Sequence, residues 1–299
     1  MSERTISDRG VPHTSSQSAP AMHGTGRIAA RFQDLSNRGE LGLVAYLTAG
    51  DPSLRDSESI VLASAEAGAD VIELGVPFSD PVADGPTIQR ASERALRSGT
   101  TLAGVLELVR RLRTQTQVPL VLFSYFNPIL QMGIEKFAET AAAFGADGVL
   151  ATDLTLEESN EYRAIVHSHG LDTIFLAAPT STDARLAQIA AASSGFLYVI
   201  SRTGVTGTRE SLPEALPGLV RRVRQFTSLP IAVGFGISLP THVTSLGGIA
   251  DAAVVGSALV AEVEKAGSAD AAARAVGELV GRLKRAAREG VSRRSLGTP

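Results

Sequence analysis

The 299-residue sequence has no cysteine, no tryptophan and only three methionines, and aromatic residues make up 5 % of it. Without cysteine there is no disulfide, no thiolate nucleophile and no Cys-ligated metal, which fits a reducing compartment. No apolar run reaches the ~18 residues that a membrane-spanning helix needs, and the amino terminus lacks the apolar core of a secretory signal. No membrane association and a cytoplasmic location are therefore expected. An excess of basic charge is missing as well: the formal net charge is −3 and the pI about 6.0, so no field draws the chain to nucleic acid. Of the five histidines, His13 and His23 precede the first helix, His167 and His169 lie in a helical stretch, and His242 follows the seventh strand. None ends a strand, so none is assigned to catalysis or to a metal.

Charged residues at 20 % and hydrophobic ones at 44 % suit a packed globular core. Residues 1–26 are rich in Ser, Thr, Pro and Gly and read as a disordered extension, residues 27–290 as one catalytic domain, and 291–299 as a flexible tail. From Arg27 to Gly39, Ile28, Phe32 and Leu35 recur at helical spacing. Short apolar runs then alternate with helical stretches. The runs begin at Leu41 (LGLVAYLT) and continue as VIEL (71–74), VPLVLFSY (118–125), GVLATD (148–153), DTIFLAA (172–178), FLYVIS (196–201), LPIAVGFG (229–236) and DAAVVGS (251–257). Eight near-continuous apolar strands separated by helices predict a parallel sheet covered on both faces, closed as a single (β/α)8 barrel with an extra N-terminal helix. An open doubly wound sheet is the alternative.

In such a barrel the chemistry sits at the strands' carboxyl ends. The second strand ends in Glu73 and leads into GVPFSDPVADG (75–85), whose Gly and Pro residues make it a loop carrying Asp80 and Asp84. A carboxyl at the end of an otherwise Val/Ile/Leu strand loses hydration, which raises its pKa; one on a polar loop is expected to stay ionised. Glu73 and Asp84 are thus a pair with different protonation behaviour, as acid/base work requires. Asp80 serves equally well as a turn cap. Tyr125 and Tyr198 also stand at strand ends, where they either donate hydrogen bonds or pack.

Gly234-Phe235-Gly236-Ile237-Ser238 after strand seven and Gly256-Ser257 after strand eight each open onto a helix. Glycine lets the backbone approach an anion, and helix-terminal amides with a Ser hydroxyl donate to phosphate oxygens. These two loops form the usual phosphate site of a barrel. The loop SRTGVTGTR (201–209) is small and polar, and either closes over that pocket or is an ordinary mobile surface loop.

With these residues assembled, the sequence resembles the tryptophan synthase α subunit family over residues 27–288. The resemblance lies in ELGVPFSDPVADGPTIQ (73–89), YFNPIL (125–130), RTGVTG (202–207), GFGIS (234–238) and VVGSALV (254–260). It implies retro-aldol cleavage of indole-3-glycerol phosphate to indole and glyceraldehyde 3-phosphate, in the last steps of tryptophan biosynthesis. By it, Glu73 is the general acid/base, Asp84 the second catalytic carboxylate, and Tyr198 a lining residue. Thr206 is a loop threonine closing over Asp84, and Gly207, Gly236, Gly256 and Ser257 make the phosphate set. Tyr46 stands where a Phe commonly packs on the indole ring. Neither metal nor organic cofactor is implied. The implied partner is a pyridoxal-phosphate β subunit in an α2β2 complex, docked on the loop face that holds Asp80, Pro77 and Pro81. A stand-alone lyase releasing free indole is the alternative, and a catalytically silent activator barrel a more distant one. Thr155, where many members carry Pro, and the N-terminal extension are departures that bear on the partner.

Overall fold

A computed structural model describes residues 26–201, 212–234 and 236–295. Helix α1 (Arg27–Arg38) is followed by β1 (Gly42–Thr48), α2 (Leu54–Glu66), β2 (Val71–Gly75), α3 (Pro86–Arg97), α4 (Leu102–Arg113) and β3 (Leu120–Ser124). Then come α5 (Phe126–Met132), α6 (Ile134–Phe144), β4 (Gly148–Ala151), α7 (Ser159–Ser168), β5 (Asp172–Thr173) and β6 (Leu176–Ala177). The chain ends with α8 (Asp183–Ala192), β7 (Leu197–Ile200), α9 (Leu216–Arg224), β8 (Ile231–Gly234), α10 (Pro240–Leu246), β9 (Ala252–Val255), α11 (Ser257–Lys265) and α12 (Ala269–Ser295).

All strand pairs are parallel, in the order β5-β4-β3-β2-β1-β9-β8-β7-β6. The expected fifth strand is split in two. Its first half pairs with β4 and its second with β7, and between them Ile174 N–H donates to Val149 while Phe175 C=O accepts from Tyr198. One chain segment thereby joins the two edges, and eight expected strands become nine short ones around a TIM barrel. Helix α5 was not expected from YFNPIL, whose Pro128 sits in the first turn where it costs no hydrogen bond. Helix α12 continues to Ser295, into the stretch expected to be a tail.

Strand periodicity sorts the core into two shells. Val44, Val71, Val121, Leu150, Ile174, Phe196, Ala232 and Ala252 face inward and form one cluster with Ile28, Phe32 and Leu35 of α1. Their neighbours Leu43, Ala45, Ile72, Leu74, Leu120, Leu122 and Val233 face outward into the helical layer. Helix α1 thus plugs the amino-terminal end of the barrel, with Phe32 against Phe196 at 5.7 Å between ring centroids. Gly39 ends α1 in the left-handed conformation, φ 61°, where glycine is at no steric cost.

A recurring Ala-Asp pair starts three strands. Asp70, Asp147 and Asp251 each precede a strand and accept the first free amide of the neighbouring one, from Leu43 (2.8 Å), Leu120 (2.8 Å) and Ile231 (2.7 Å). Each also meets a cation: Lys284 at 2.6 Å, Arg113 at 2.8 Å, and Arg224 respectively. These carboxylates close the amino-terminal rim and leave the opposite rim for chemistry.

Candidate active site

The inward parity that places Val44, Val71 and Phe196 at the bottom carries Tyr46, Glu73 and Tyr198 to the top, with Tyr46 directly opposite Glu73 in the β1–β2 ladder. The next inward positions, Gly75 and Gly234, have no side chain for a reason of space. A Cβ on Gly75 would lie 2.1 Å from the Tyr46 hydroxyl, and one on Gly234 would lie 2.2 Å from that of Tyr198. Two glycines at strand ends therefore admit two phenols beside one carboxyl. Phe123, on the same parity of β3, packs edge-on against Tyr46 with ring centroids 5.2 Å apart.

Above these side chains lies a cavity of about 660 Å³, lined by Tyr46, Glu73, Ala83, Asp84, Phe123, Tyr198, Gly236, Ile237, Ser238, Gly256 and Ser257 among others. Glu73 is fully buried, and among the described residues neither carboxyl oxygen has a hydrogen-bond partner. Burial without a compensating charge pushes its pKa up to about 8, so at neutral pH it is mostly the protonated acid. Among the described residues no arginine pairs with it.

Asp84 is held differently. The Tyr125 hydroxyl accepts the Ala83 amide at 2.9 Å and donates to Asp84 Oδ2 at 3.2 Å, while the Gln89 amide donates to the main-chain oxygens of Asp84 (3.0 Å) and Pro81 (3.3 Å). Burial lifts Asp84 to about 6, and the Tyr125 bond works against that rise. The loop is thus less polar than its composition suggests, although the order of the two carboxyls stays as expected. Asp80 is absent from the cavity wall. It accepts from the Ser79 hydroxyl, and its carbonyl from the Val82 amide, as a turn residue does.

Tyr125, a candidate substrate-binding residue, does not line the cavity; it stacks on Phe78 (4.9 Å) and braces the Asp84 loop. Asp153 braces it in turn, since its carboxylate accepts the Phe126 amide at 2.7 Å at the start of α5. At the other end of the cavity Gly236 adopts φ 86°, and Gly256 precedes α11, whose first amides have no acceptor within the helix. Thr206 and Gly207, with Arg202 and the rest of that loop, lie outside the described residues.

Sequence reasoning singles out neither Phe123 nor Gln89, and it reads Gly75 and Gly234 as loop glycines rather than as room for two phenols. The signal for Phe123 was its two-residue spacing from inward Val121, whereas Gln89 acts through a fold-back that no local pattern reveals. Among the described residues no group of three or more His, Asp or Glu is placed to hold a metal, and no helix is long and apolar enough to cross a membrane.

Comparison with known proteins gives the same answer by independent routes. The family profile described as tryptophan synthase alpha chain matches residues 32–288. The tryptophan synthase alpha chain of Solibacter usitatus is 54 % identical over 239 residues, covering 80 % of this chain and 90 % of its own length. That of Geobacter sulfurreducens is 49 % identical with the same coverage. A solved structure of Mycobacterium tuberculosis tryptophan synthase superposes with a TM-score of 0.82 at 36 % identity, over 88 % of this chain and 98 % of the other. The tryptophan synthase alpha subunit of Legionella pneumophila superposes at 0.79 with 36 % identity, over 89 % and 99 %.

Proposed function

The chain belongs to the tryptophan synthase alpha chain family, and from that premise we propose how its own residues divide the work of the family's lyase reaction. The reaction cleaves indole-3-glycerol phosphate to indole and glyceraldehyde 3-phosphate. Breaking the C–C bond leaves an electron pair on indole C3, so that carbon must first be protonated. Glu73, neutral because burial holds its pKa near about 8, gives its proton to C3 and turns the ring into an electron sink. The resulting carboxylate takes the proton of the hydroxyl on the carbon attached to the ring. As that C–O becomes an aldehyde, the C–C electrons return to the indole, and one proton has entered and one left. Asp84, ionised, accepts the indole N–H and stabilises the positive charge that develops there. Tyr46, Phe123 and Tyr198 enclose the ring. The Gly236 loop and the α11 start at Gly256 and Ser257 take the phosphate, with Gly207 assigned to it, and Thr206 to closure over Asp84, by the sequence resemblance.

The observation that carries this assignment is Glu73: a fully buried carboxyl with no partner at the foot of a cavity. Family membership implies a β-subunit partner, and nothing favours a stand-alone lyase. We place the docking face on the loop side, where Val82 is 87 % and Leu130 54 % exposed, and expect an α2β2 assembly. The test is indole release by the purified chain, alone and with a β subunit and serine, for wild type, Glu73→Gln and Asp84→Asn. Slow release that rises with the β subunit and collapses in both variants is expected. Undiminished release by Glu73→Gln would remove it from the mechanism.

A further inference from the structure

One group of charged side chains beside this pocket has no part in the steps above. Arg90 and Arg94 lie one turn apart on α3, the helix that begins directly after the Asp84 loop. Arg94 grips both carboxylate oxygens of Asp51, Nε to Oδ1 at 2.8 Å and Nη2 to Oδ2 at 2.7 Å, and its Nη1 reaches Glu264 Oε1 at 3.0 Å. Arg90 holds Glu264 with a second fork, Nε to Oε1 at 2.6 Å and Nη2 to Oε2 at 2.8 Å. Asp51 is buried in the turn after β1, at 3 % exposure, and Glu264 is in the last turn of α11. The two arginines hold the Glu264 carboxyl down at about 2.

An isolated surface pair contributes little to stability. Two bidentate forks sharing one bridge across three elements are different, because each fork fixes orientation as well as distance. The elements joined are those that carry the two ends of the cavity. Helix α11 starts at Ser257, at the phosphate end. Helix α3 starts after Asp84, and its Gln89 holds the Asp84 carbonyl. A mechanical path therefore runs from Ser257 along α11 to Glu264, across the arginines to α3, and through Gln89 to Asp84.

We propose that Arg94, together with Arg90, Glu264 and Asp51, forms a clamp that fixes the separation between Asp84 and the phosphate-binding end of the cavity. Arg94 and Glu264 are then positioning residues for the cleavage. The proposal rests on the assignment of the two cavity ends made above. A ligand seated at both ends feels the clamp, and one seated at the phosphate end alone does not. A displacement of the order of 1 Å at a reacting group is worth on the order of 10²-fold in rate.

The test uses the full chain as wild type, Arg94→Met, Arg94→Lys and Glu264→Gln, with two ligands titrated by calorimetry. Glycerol 3-phosphate engages the phosphate end only; an analogue joining indole to phosphate through a saturated three-carbon chain engages both. Affinity for glycerol 3-phosphate is expected to stay within about twofold of wild type in each variant. Affinity for the long analogue, and kcat for indole release, should fall about tenfold or more in Arg94→Met and Glu264→Gln, with partial recovery in Arg94→Lys. Glu264→Gln leaves the Asp51–Arg94 pair intact, so it reports even where Arg94→Met does not fold. Equal weakening of both ligands, or unchanged affinity for the long analogue, overturns the clamp. A wild-type chain that binds neither ligand overturns the assignment of the cavity ends instead.

Discussion

The two rims of the barrel treat buried carboxyl groups in opposite ways. At the amino-terminal rim Asp70 accepts the Leu43 amide and Lys284, and Asp147 accepts the Leu120 amide with Arg113 and Arg27. At the carboxyl-terminal rim, three residues along the chain from Asp70, Glu73 is buried with no donor among the described residues. A buried carboxyl is tolerated in two forms: charged with partners, or neutral without them. The lower rim uses the first form to fix strand starts, and the upper rim uses the second to store a proton. Stability and reactivity are thereby separated along one strand, β2.

The sharpest way to break the contrast is Glu73→Gln. An amide is nearly isosteric with the protonated acid but has no proton to give, so indole release should fall on the order of 10³- to 10⁴-fold, read in a steady-state assay with the β subunit present. Its effect on stability carries the sign of the titration. The folded pKa of Glu73, about 8, lies above its ordinary value of 4.5, so the folded chain holds a proton that the unfolded chain has released. Wild-type stability on this account is full below about 4.5 and lost as pH rises to about 8. Glu73→Gln lacks that loss, and its Tm relative to wild type should climb over the same window; parallel Tm profiles would refute the neutral acid.

At the opposite rim, Lys284→Met removes the nearer cation of buried Asp70, at 2.6 Å, and leaves only Arg31, whose Nε lies 3.8 Å from Oδ1. With Arg31 still in place, a cost of about 3 kcal/mol in urea denaturation is expected, with little change in kcat for the molecules that remain folded. Asp84→Asn should cost on the order of 10²- to 10³-fold in kcat, less than Glu73→Gln, because it removes charge stabilisation and leaves the proton donor.

The pH dependence of kcat/KM ties the two carboxyls together. Activity requires Asp84 ionised and Glu73 protonated, so the profile should be bell-shaped with limbs near about 6 and about 8. The smallest effect expected is that of Tyr125→Phe. It removes two hydrogen bonds, the one from the Ala83 amide and the one to Asp84, each worth about 1 kcal/mol, and because the second lowers the Asp84 pKa, the acid limb should move upward. An unmoved limb would leave Tyr125 a packing residue.

Much of this was legible in the chain. Glu73 stood out because a Val/Ile/Leu strand has no packing use for a carboxyl, and α6 is bounded by Gly133 and Gly145, punctuation visible in the sequence itself. The recurring Ala-Asp before strands was equally present in the sequence, yet its meaning depends on which strand lies alongside. Tyr125 shows the same limit: its place at a strand end pointed to the cavity, but the stacked Phe78 and the Ala83 amide draw it to the loop's back. Strand five read as one apolar run, and only closure of the sheet on both sides splits it, since its two halves serve different neighbours.

What the sequence determined by itself is whatever follows from local periodicity and residue chemistry: the β/α alternation, the inward parity of each strand, the loop bearing Asp84, and the glycines beside the last two strands. Only the tertiary structure decided which of the two tolerated forms each carboxyl takes, because partners such as Lys284, 214 residues from Asp70, and Glu264, 174 residues from Arg90, are brought near by packing. Burial and charge pairing are properties of neighbours in space, and a one-dimensional pattern fixes the direction a side chain faces but not what it meets there.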